Sequence, residues 1–400
     1  MAKRQLTIIG AGPAGLTAAI FGRRAGLDVL VLEKGMTGGQ INITAEIENY
    51  PGFKLVGGME LGKILREHAE KFGPEFMECS AESVSFGDGS KTVVTSKGTI
   101  ETDALIIASG SSFIKSGCKG EAEFAGRGVS YCAVCDGAFF ADVPVAVIGG
   151  GNTAVEEADY LAQFASKVYL IHRRDAFRAQ KSAVDRTLAN PKIEAVMSSV
   201  VEEIAGQDMV ERVVVRNNKS GRTKEIPVEG VFVFVGTAPN LEFLTDLTER
   251  SGLRRANAGW IITDDKMETS VDGVFAAGDV RDKYLRQVAT AVGDGATAAM
   301  AAYEYLSNEY YLQTALFEPE RVTAFFMSSI DPAHLALDRE ISASAASSGK
   351  KVITIDGHIN LRLREKLGVT SLPAMVELSR GKKVSAITVN SIDDAKGFLG

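Results

Sequence analysis

The sequence predicts an α/β protein with two nested Rossmann-like dinucleotide-binding domains and a further α/β domain at its C-terminal end. Two glycine-rich fingerprints, at residues 10–15 and 149–154, each follow an apolar run of strand length and precede a helix-like stretch. A later segment, Val271–Asp279, has the character of a buried strand that completes the first domain. Past residue 315, strand-like and helix-like stretches alternate to the end of the sequence.

The bulk properties limit the class of protein. The 400 residues are enough for two or three domains. The net charge of −7 argues against a nucleic-acid partner. No apolar run reaches the roughly 18–20 residues that cross a membrane, and the first strand begins too early to leave room for a signal peptide. With four cysteines, the sequence is also no secreted disulfide framework, so we expect a cytoplasmic protein without a membrane partner.

The first fingerprint has the glycine pattern of a phosphate-binding turn. Gly10 is expected to make the tight turn, Gly12 to admit a pyrophosphate close to the backbone, and Gly15 to let the helix pack on the strand. Glu33 ends the second strand, where an acid can accept a hydrogen bond from an adenosine ribose. A glycine-rich turn of another α/β protein is the alternative, which the combination of strand, helix and acid disfavours.

The segment Val271–Asp279 indicates that the first ligand is FAD. An acid at the end of this strand can hold the ribitol hydroxyls of a flavin, and the following helix can stabilise the negative charge of a reduced ring. The FAD domain is then discontinuous, with residues 1–115 and 246–312 enclosing an inserted domain of residues 116–245. Glycine-containing segments mark both crossings, as expected of a hinge.

The second fingerprint has the G-x-G-x-x-A form, with alanine as the close-packing residue. The strand that follows, Lys167–Ile171, does not end in an acid. It leads instead into basic residues: His172, Arg173, Arg174 and Arg178. Cations at this position accommodate a 2′-phosphate, so the pattern predicts NADPH as the second ligand. A solvated basic face is the alternative.

Cys132 and Cys135 form a C-A-V-C-D motif between the two fingerprints. Such a pair can be a zinc half-site, a structural disulfide or a redox couple. Zinc would need two more ligands, but Cys79 and Cys118 are isolated and the four histidines make no paired pattern, so no metal is predicted. In a reducing compartment a Cys-x-x-Cys pair is more often catalytic than structural, and we interpret the isolated cysteines as structural.

Several stretches resemble those of the low-molecular-weight, bacterial-type thioredoxin reductases. They are Gly10–Gly15, Gly38–Gln40, Glu48–Gly52, Gly126–Gly137, Gly149–Glu157, His172–Arg178 and Phe275–Asp279 with Arg286 and Gln287. Ala108-Ser109-Gly110 departs from the Ala-Thr-Gly that is usual in the family.

This resemblance implies an NADPH-dependent flavoprotein disulfide reductase that is a homodimer with one FAD per subunit. Electrons would pass from NADPH to FAD, then to Cys132–Cys135, and finally to the disulfide of thioredoxin or a thioredoxin-like protein. It also implies that Asp136 is an acid that protonates a departing thiolate. A helix N-cap is the alternative role for Asp136, and the two roles are compatible. Other disulfide partners (a peroxiredoxin system or a glutaredoxin-like protein), another electron donor, and a binding module with little turnover are the alternative functions.

The fingerprints, their second strands and the resemblance together give two sets of cofactor-binding residues. The predicted FAD set is Gly10, Gly12, Pro13, Ala14, Gly15, Glu33, Lys34, Gly39, Gln40, Asn49, Ala81, Ala108, Gly110, Gly278, Asp279, Arg286, Gln287 and Val288. The predicted NADPH set is Gly149, Gly151, Asn152, Thr153, Ala154, His172, Arg173, Arg174, Arg178 and Gly236.

The C-terminal stretch has the predicted order β-α-β-α-β-β-α, which resembles a thioredoxin fold without its first strand. Its Ser-Leu-Pro373-Ala segment looks like the cis-proline loop of that fold. Ile330-Asp-Pro-Ala333 stands where a thioredoxin has its Cys-x-x-Cys. Residues 318–400 are therefore predicted to be a redox-inactive thioredoxin-like domain. A docking module, an oligomerisation element and a ligand-binding module remain open as its role.

Overall fold

The computed structural model describes residues 3–44, 46–87, 90–247 and 252–400. The chain divides into two compact units, Met1–Tyr303 and Glu304–Gly400. Residues 248–251 of the predicted second FAD segment lie outside the described residues.

The first unit begins with the sheet that follows from the first fingerprint. Its elements are β1 (Arg4–Ile9), α1 (Pro13–Arg24), β2 (Val29–Glu33), β3 (Glu46–Ile47), β4 (Val56–Gly57), α2 (Gly58–Glu70), β5 (Glu75–Glu78), β6 (Ala81–Phe86), β7 (Lys91–Thr95), β8 (Gly98–Ile107) and β9 (Ser111–Phe113). The sheet order is β5-β2-β1-β8-β7-β6. The four neighbouring strands β5, β2, β1 and β8 are parallel to one another, whereas β7 pairs antiparallel with both β8 and β6. The last four residues of β1 and the first four of β2 are buried, as expected where a parallel sheet is covered on both faces.

The inserted segment forms a second parallel sheet. Its elements are β10 (Val129–Ser130), α3 (Ala133–Asp136), β11 (Pro144–Gly149), α4 (Asn152–Leu161), β12 (Lys167–Ile171), α5 (Lys181–Leu188), β13 (Ile193–Val196), β14 (Ser199–Gly206), β15 (Val210–Asn217), β16 (Thr223–Pro227), β17 (Gly230–Phe234) and β18 (Thr237–Pro239). The parallel order is β10-β17-β11-β12-β13, and β14, β15 and β16 form a separate antiparallel sheet.

The two chain segments that connect these sheets, one leaving the first sheet and one returning to it, lie side by side. Strands β9 and β18 pair antiparallel, with Ser111 opposite Pro239 and Phe113 opposite Thr237. After this ribbon, β19 (Val274–Ala276) pairs with β8, so the chain returns to the sheet that it left. Two Rossmann-type α/β sheets, predicted from the fingerprints, are thus confirmed.

The second unit contains the end of the long helix α6 (Val288–Leu312), which begins in the first unit. The elements after it are β20 (Val322–Met327), α7 (Pro332–Ser347), β21 (Val352–Asp356), α8 (Leu361–Leu367), β22 (Ala374–Ser379), β23 (Lys382–Thr388) and α9 (Ile392–Leu399). This order is the predicted one. The sheet order is β21-β20-β22-β23, with β20 and β21 parallel and the other pairs antiparallel. The Leu372–Pro373 peptide bond is cis.

The core of the second unit begins before residue 318. Leu312 and Leu316 are buried in the same cluster as Phe326 of β20, which explains why the unit starts at Glu304. Alternate residues of β20 face two cores, since Phe325 belongs to a separate cluster with Ile341 of α7. None of the helices in the described part of the chain has the length and apolar character needed to cross a bilayer.

Candidate active site

A cavity of about 720 Å³ lies in the first unit, where residues that follow β1, β2, β8 and β19 meet. Ligands of open α/β sheets bind at these carboxyl ends of the strands. Its lining includes most of the predicted FAD set: Gly10, Gly12, Pro13, Ala14, Glu33, Lys34, Gly39, Gln40, Asn49, Ala108, Gly110, Gly278, Asp279, Arg286, Gln287 and Val288. The structure places Gly15 and Ala81 outside this lining: Gly15 is within α1 and Ala81 begins β6.

The three glycines of the first fingerprint differ in how much space surrounds them. A Cβ on Gly10, whose φ is +107°, would stand 2.4 Å from the carbonyl oxygen of Ala108, and one on Gly15 would stand 1.8 Å from that of Gly10. Around Gly12, by contrast, the nearest atom to such a Cβ is 3.9 Å away. Gly12 is also the N-cap of α1, and no side chain caps that helix. The open space and the uncapped amides fit a pyrophosphate.

Glu33 ties this turn to the end of β2. One carboxylate oxygen accepts a 2.7 Å hydrogen bond from the amide of Ala11, and the other accepts one of 2.9 Å from Gly35. Each oxygen retains a second lone pair, so the carboxylate can still accept a hydrogen bond from a ribose.

Asp279 is the best test of whether the cavity fits FAD. Its Oδ1 is buried and has no hydrogen-bond partner within the described residues. Burial raises the pKa of this carboxyl, while Lys283 and Arg286 act in the opposite direction. A buried acceptor left unpaired is costly, and a donor such as a ribitol hydroxyl would satisfy it. The cavity therefore fits the group that the sequence predicted.

Polar and cationic contacts join the remaining walls. The guanidinium of Arg286, which lines the cavity, lies 3.8 Å over the ring of Trp260, a contact that the sequence did not reveal. Gln40 donates its amide to the carbonyl oxygen of Ser111, and Asn49 donates to the side-chain oxygen of Gln287 at 3.3 Å.

Cys132 and Cys135 form a disulfide, and both residues line the same cavity. Cys132 is the N-cap of α3, and its sulfur accepts a 3.2 Å hydrogen bond from the amide of Cys135. Because the two sulfurs are bonded to each other, the pair is not a zinc half-site in this structure. The amide would stabilise negative charge on the Cys132 sulfur once the disulfide opens.

Asp136 follows the pair and also lines the cavity. Its Oδ2 accepts a 2.6 Å hydrogen bond from the hydroxyl of Ser130, whereas its Oδ1 is buried without a partner among the residues described. Burial raises the pKa of this carboxyl, and the hydrogen bond from Ser130 opposes that shift. Asp136 stands at the start of the 3-10 helix Gly137–Phe140, but its side chain makes no capping hydrogen bond, so capping is not its role.

A second buried carboxylate, missed in the sequence, supports the same region. Glu121 accepts hydrogen bonds from the hydroxyl of Tyr131 at 2.9 Å and from that of Ser116 at 2.8 Å. Burial, and then Glu121, raise the pKa of Tyr131. The ring of Tyr131 stacks on Phe113 of β9 with centroids 5.2 Å apart. These contacts connect Tyr131, the residue before Cys132, to the β9–β18 ribbon. The residues involved are distant in sequence, so only the fold reveals the contacts.

The second fingerprint repeats the design of the first. A Cβ on Gly149 would stand 2.5 Å from the carbonyl oxygen of Phe234, whereas one on Gly151 would meet nothing within 4 Å. Gly151 is the N-cap of α4, which no side chain caps. Asn152 accepts a 2.8 Å hydrogen bond from the amide of Gln180, and Thr153 and Ala154 follow in the helix. Gly236 lies at the crossing, where its carbonyl oxygen accepts the amide of Ile114.

The basic residues after β12 divide into two kinds. Arg173, Arg174 and Arg178 are exposed. His172 is buried, stacks on Phe177 at 5.5 Å, and packs so closely that a Cβ on Gly150 would stand 2.1 Å from its ring. Burial lowers the pKa of His172, and the three arginines lower it further. The arginines are therefore the exposed cations available to a phosphate, whereas the burial of His172 disfavours its charged form.

The two remaining cysteines are free thiols outside the cavity lining. Cys79 is buried in the core of the first sheet, and Cys118 is half-buried with its sulfur 3.1 Å from the hydroxyl of Ser116. Burial raises the pKa of both thiols, which reduces their thiolate fraction.

Comparison with known proteins agrees with this geometry. The model of the pyridine nucleotide-disulphide oxidoreductase family matches residues 4–295. Over 300 residues, the chain is 44% identical to the thioredoxin reductase of Bacillus subtilis (strain 168), covering 75% of this chain and 93% of that protein. The thioredoxin reductase of Listeria monocytogenes is 45% identical over 300 residues, covering 75% and 92%.

Two solved structures agree as well. The thioredoxin reductase of Streptococcus pyogenes is 46% identical with a TM-score of 0.72, covering 77% of this chain and 99% of that one. That of Lactococcus lactis in the FR conformation is 45% identical with a TM-score of 0.56, covering 76% and 100%.

Two Rossmann-type sheets and a redox-type disulfide in one unit define a pyridine nucleotide-disulphide oxidoreductase, and the match over residues 4–295 agrees. Within that class, the chain belongs to the bacterial-type, low-molecular-weight thioredoxin reductase family. It is accordingly an oxidoreductase of a family that binds FAD and uses NADPH, as the resemblance implied. The second unit, Glu304–Gly400, lies beyond the matched residues.

Proposed function

We propose that this enzyme reduces the disulfide of thioredoxin, with NADPH as donor, FAD in the main cavity, and Cys132–Cys135 as the redox pair. One observation carries the proposal: the disulfide lines the same cavity as the predicted flavin-binding residues. The relatives at 44% and 45% identity are named thioredoxin reductases, which supports thioredoxin as the partner.

Each part of the cavity has a proposed ligand group. The uncapped amides of α1, next to Gly12, would bind the pyrophosphate, and Glu33 would accept the ribose. The unpaired Oδ1 of Asp279 would accept a ribitol hydroxyl. When bound, FAD supplies a two-electron carrier between NADPH and the disulfide.

Asp136 is the proposed acid for disulfide opening. Reduction adds two electrons to the Cys132–Cys135 bond and leaves negative charge on sulfur, so a proton must be supplied. Because burial raises the pKa of Asp136, its carboxyl holds a proton up to a higher pH than an exposed aspartate. It can therefore protonate the departing sulfur, and it recovers a proton when the dithiol next reduces a partner.

The dithiol then reduces thioredoxin by exchange. A thiolate of the pair attacks one sulfur of the partner disulfide, forming a mixed disulfide and releasing the other sulfur as a thiolate. The second cysteine attacks the mixed disulfide, reforms Cys132–Cys135 and releases the reduced partner. The amide of Cys135, directed at the Cys132 sulfur, favours a thiolate there.

NADPH is proposed to bind at the second fingerprint, with Arg173, Arg174 and Arg178 around its 2′-phosphate. The residues of that fingerprint do not line the main cavity, whereas the disulfide does. The inserted segment would therefore rotate about the β9–β18 ribbon to alternate the nicotinamide and the disulfide at the flavin. Two relatives of nearly equal identity have TM-scores of 0.72 and 0.56, the lower in the FR conformation, which supports such a rearrangement.

The second unit is proposed to be a redox-inactive thioredoxin-like domain. The sheet order β21-β20-β22-β23 and the cis Leu372–Pro373 bond support this assignment. Ile330 and Ala333 stand at the positions that a thioredoxin dithiol would occupy, after β20 and in the first turn of α7. Its three possible roles, the homodimer and the cytoplasmic location stay predictions.

Replacing Cys135 with Ser tests the function. The variant should still accept electrons from NADPH, seen as bleaching of the flavin absorbance, but should reduce thioredoxin at less than about a thousandth of the normal rate because exchange needs both sulfurs. Cys118→Ser is the matched control, and we expect full activity from it. Retained thioredoxin reduction by Cys135→Ser would contradict the proposal, and bleaching by NADH as readily as by NADPH would contradict the donor.

A further inference from the structure

Asp294 is a buried carboxylate that the proposed reaction does not use. It is the single charged residue between Val288 and Tyr303 of α6, and 9% of its surface is exposed. It does not line the main cavity. Charged groups are seldom buried to this degree unless they are paired, so its partners indicate what it does.

The partners of Asp294 are two buried cations. Its Oδ1 accepts a 2.9 Å hydrogen bond from Arg281, and its Oδ2 accepts one of 2.6 Å from Lys283. The side chains of Arg281 and Lys283 are 13% and 9% exposed. The cluster thus holds one negative and two positive charges away from water. Removing the carboxylate alone would leave Arg281 without this partner and would leave Lys283 only its electrostatic interaction with Asp279.

Asp294 also holds the backbone of the cavity wall. Its Oδ2 accepts a 3.0 Å hydrogen bond from the amide of Gly278. Gly278 has a φ of +78°, and a Cβ there would stand 2.9 Å from that of Ala14 in the first fingerprint. The direction of the next residue, Asp279, depends on this constrained turn, because rotation about the Gly278 backbone would move its side chain.

A second connection runs from the cluster to Arg286. The carbonyl oxygen of Arg281 accepts a 3.2 Å hydrogen bond from the Arg286 guanidinium, and the Arg281 side chain also donates to Thr263 at 2.9 Å. Both Asp279 and Arg286 line the cavity, and each has a buried polar atom, Oδ1 and Nε respectively, without a partner among the described residues. One carboxylate therefore supports two of the cavity residues that have a buried polar atom without a partner in the described part of the chain.

The helix that carries Asp294 is itself fixed against the first fingerprint. A Cβ on Gly295 would stand 2.1 Å from the carbonyl oxygen of Ala14, so α6 and the start of α1 are in backbone contact. The backbone beside Asp294 is consequently held against the fingerprint, close to the turn that the Asp294 side chain supports.

We propose that Asp294 is a positioning residue for FAD, which orients Asp279 through the Gly278 amide and Arg286 through Arg281. This inference rests on the proposed placement of FAD in the cavity. Asp294 touches no cofactor; it keeps the buried oxygen of Asp279 directed at the space that a ribitol hydroxyl would occupy.

The test separates positioning from simple charge compensation. Asp294→Val removes the acceptor and leaves two cations, whereas Asp294→Val with Lys283→Met removes one charge of each sign and so restores the net charge of the cluster. Because the charge of Lys283 also acts on Asp279, Lys283→Met alone is the reference for the double variant. We measure the dissociation constant of FAD from the full-length protein by the fluorescence of released flavin after dilution. Far-UV circular dichroism at the same temperature reports whether each variant is folded.

The charge-balanced double variant should fold and yet bind FAD roughly 10- to 100-fold more weakly than Lys283→Met, because the Gly278 amide has lost its acceptor. Ala302→Gly, a buried substitution two turns further along α6, is the matched control; it lowers helix stability and should leave FAD binding within about threefold. Equal FAD dissociation constants in the double variant and in Lys283→Met would overturn the inference, since Asp294 would then serve only to neutralise the cations.

Asp279→Ala, which removes the acceptor oxygen, distinguishes a failure of this inference from a failure of the proposed site. If Asp279→Ala leaves FAD binding unchanged, the placement of FAD beside Asp279 is wrong. If Asp279→Ala weakens FAD binding and the double variant binds FAD as Lys283→Met does, the placement stands and the role of Asp294 is refuted.

Discussion

The two fingerprints of this chain have the same spacing but differ at the end of the strand that follows each of them. Strand β2 ends in Glu33, whose two oxygens accept backbone amides of the first turn. Strand β12 leads into exposed arginines and into His172, whose burial lowers its pKa. In both places the glycines and the uncapped helix start fit a diphosphate. The difference teaches that the choice between two adenine dinucleotides depends on this strand end, with a carboxylate for a free ribose and cations for a phosphorylated one.

The fingerprints also differ in how closely the helix approaches the turn. At the close-packing position the first has Gly15, where a Cβ would stand 1.8 Å from the Gly10 carbonyl oxygen, and the second has Ala154, whose Cβ is accommodated. Helix α1 therefore tolerates no side chain at the point where α4 already carries one.

The largest effect should come from giving each fingerprint the residue type of the other at this position, in two separate variants. Gly15→Ala is expected to reduce the free energy of unfolding by about 3 kcal/mol or more and to yield protein without FAD, since backbone must move to admit the methyl group. Ala154→Gly, the matched change, should cost only about 1 kcal/mol, from helix propensity. Urea denaturation and the flavin content of the purified protein measure both. Equal losses from the two substitutions would contradict the difference in packing.

The arginines test the choice of nucleotide. Arg173→Ala with Arg178→Ala should raise the KM for NADPH roughly 100-fold, at about tenfold for each charge-assisted contact, and leave the KM for NADH nearly unchanged. Lys181→Ala removes an exposed cation at the start of α5 and serves as the control. If the three cations merely form a solvated basic face, all of these substitutions will have the same small effect on both nucleotides.

The smallest effect is expected at the acid of the first site. Glu33→Gln retains one carbonyl acceptor and loses the other, so the amide of Ala11 or that of Gly35 loses its partner. We expect FAD to bind about three- to tenfold more weakly, measured by release of fluorescent flavin on dilution. Asp28→Asn, at a partly buried ion pair with Arg4 outside the cavity lining, should not alter FAD binding. A stronger effect of Glu33→Gln on NADPH than on FAD would reverse the assignment of the two sites.

Local patterns were predictable, and long-range burial was not. The fingerprints, the cysteine pair and the element order of the second unit follow from periodicity and from glycine positions within short windows. Asp294 and Glu121 could not be assigned a role, because each supports residues that only the fold brings near. The single charged residue of an alanine- and glycine-rich stretch was the available signal for Asp294. The sequence suggests that His172 is a cation, but its burial, which no local pattern reveals, lowers its pKa.

The start of the second unit also could not be predicted from local sequence. Helix α6 continues without interruption from the first unit into the second, so composition gives no boundary there. Leu312 and Leu316 belong to the core of the second unit because they contact β20 and β22, and no local pattern reveals which core an apolar residue joins.

The β9–β18 ribbon has a consequence for how this architecture is assembled. The chain leaves the first sheet and returns to it through strands that pair directly, with Ser111 opposite Pro239. Opposed Cα atoms in an antiparallel pair lie roughly 4.5–5.5 Å apart, so the two ends of the inserted segment are neighbours. A segment with adjoining ends can be added to a surface loop, or excised and replaced by a short turn, without disturbing the host sheet. The connectivity is that of one coding segment inserted within another.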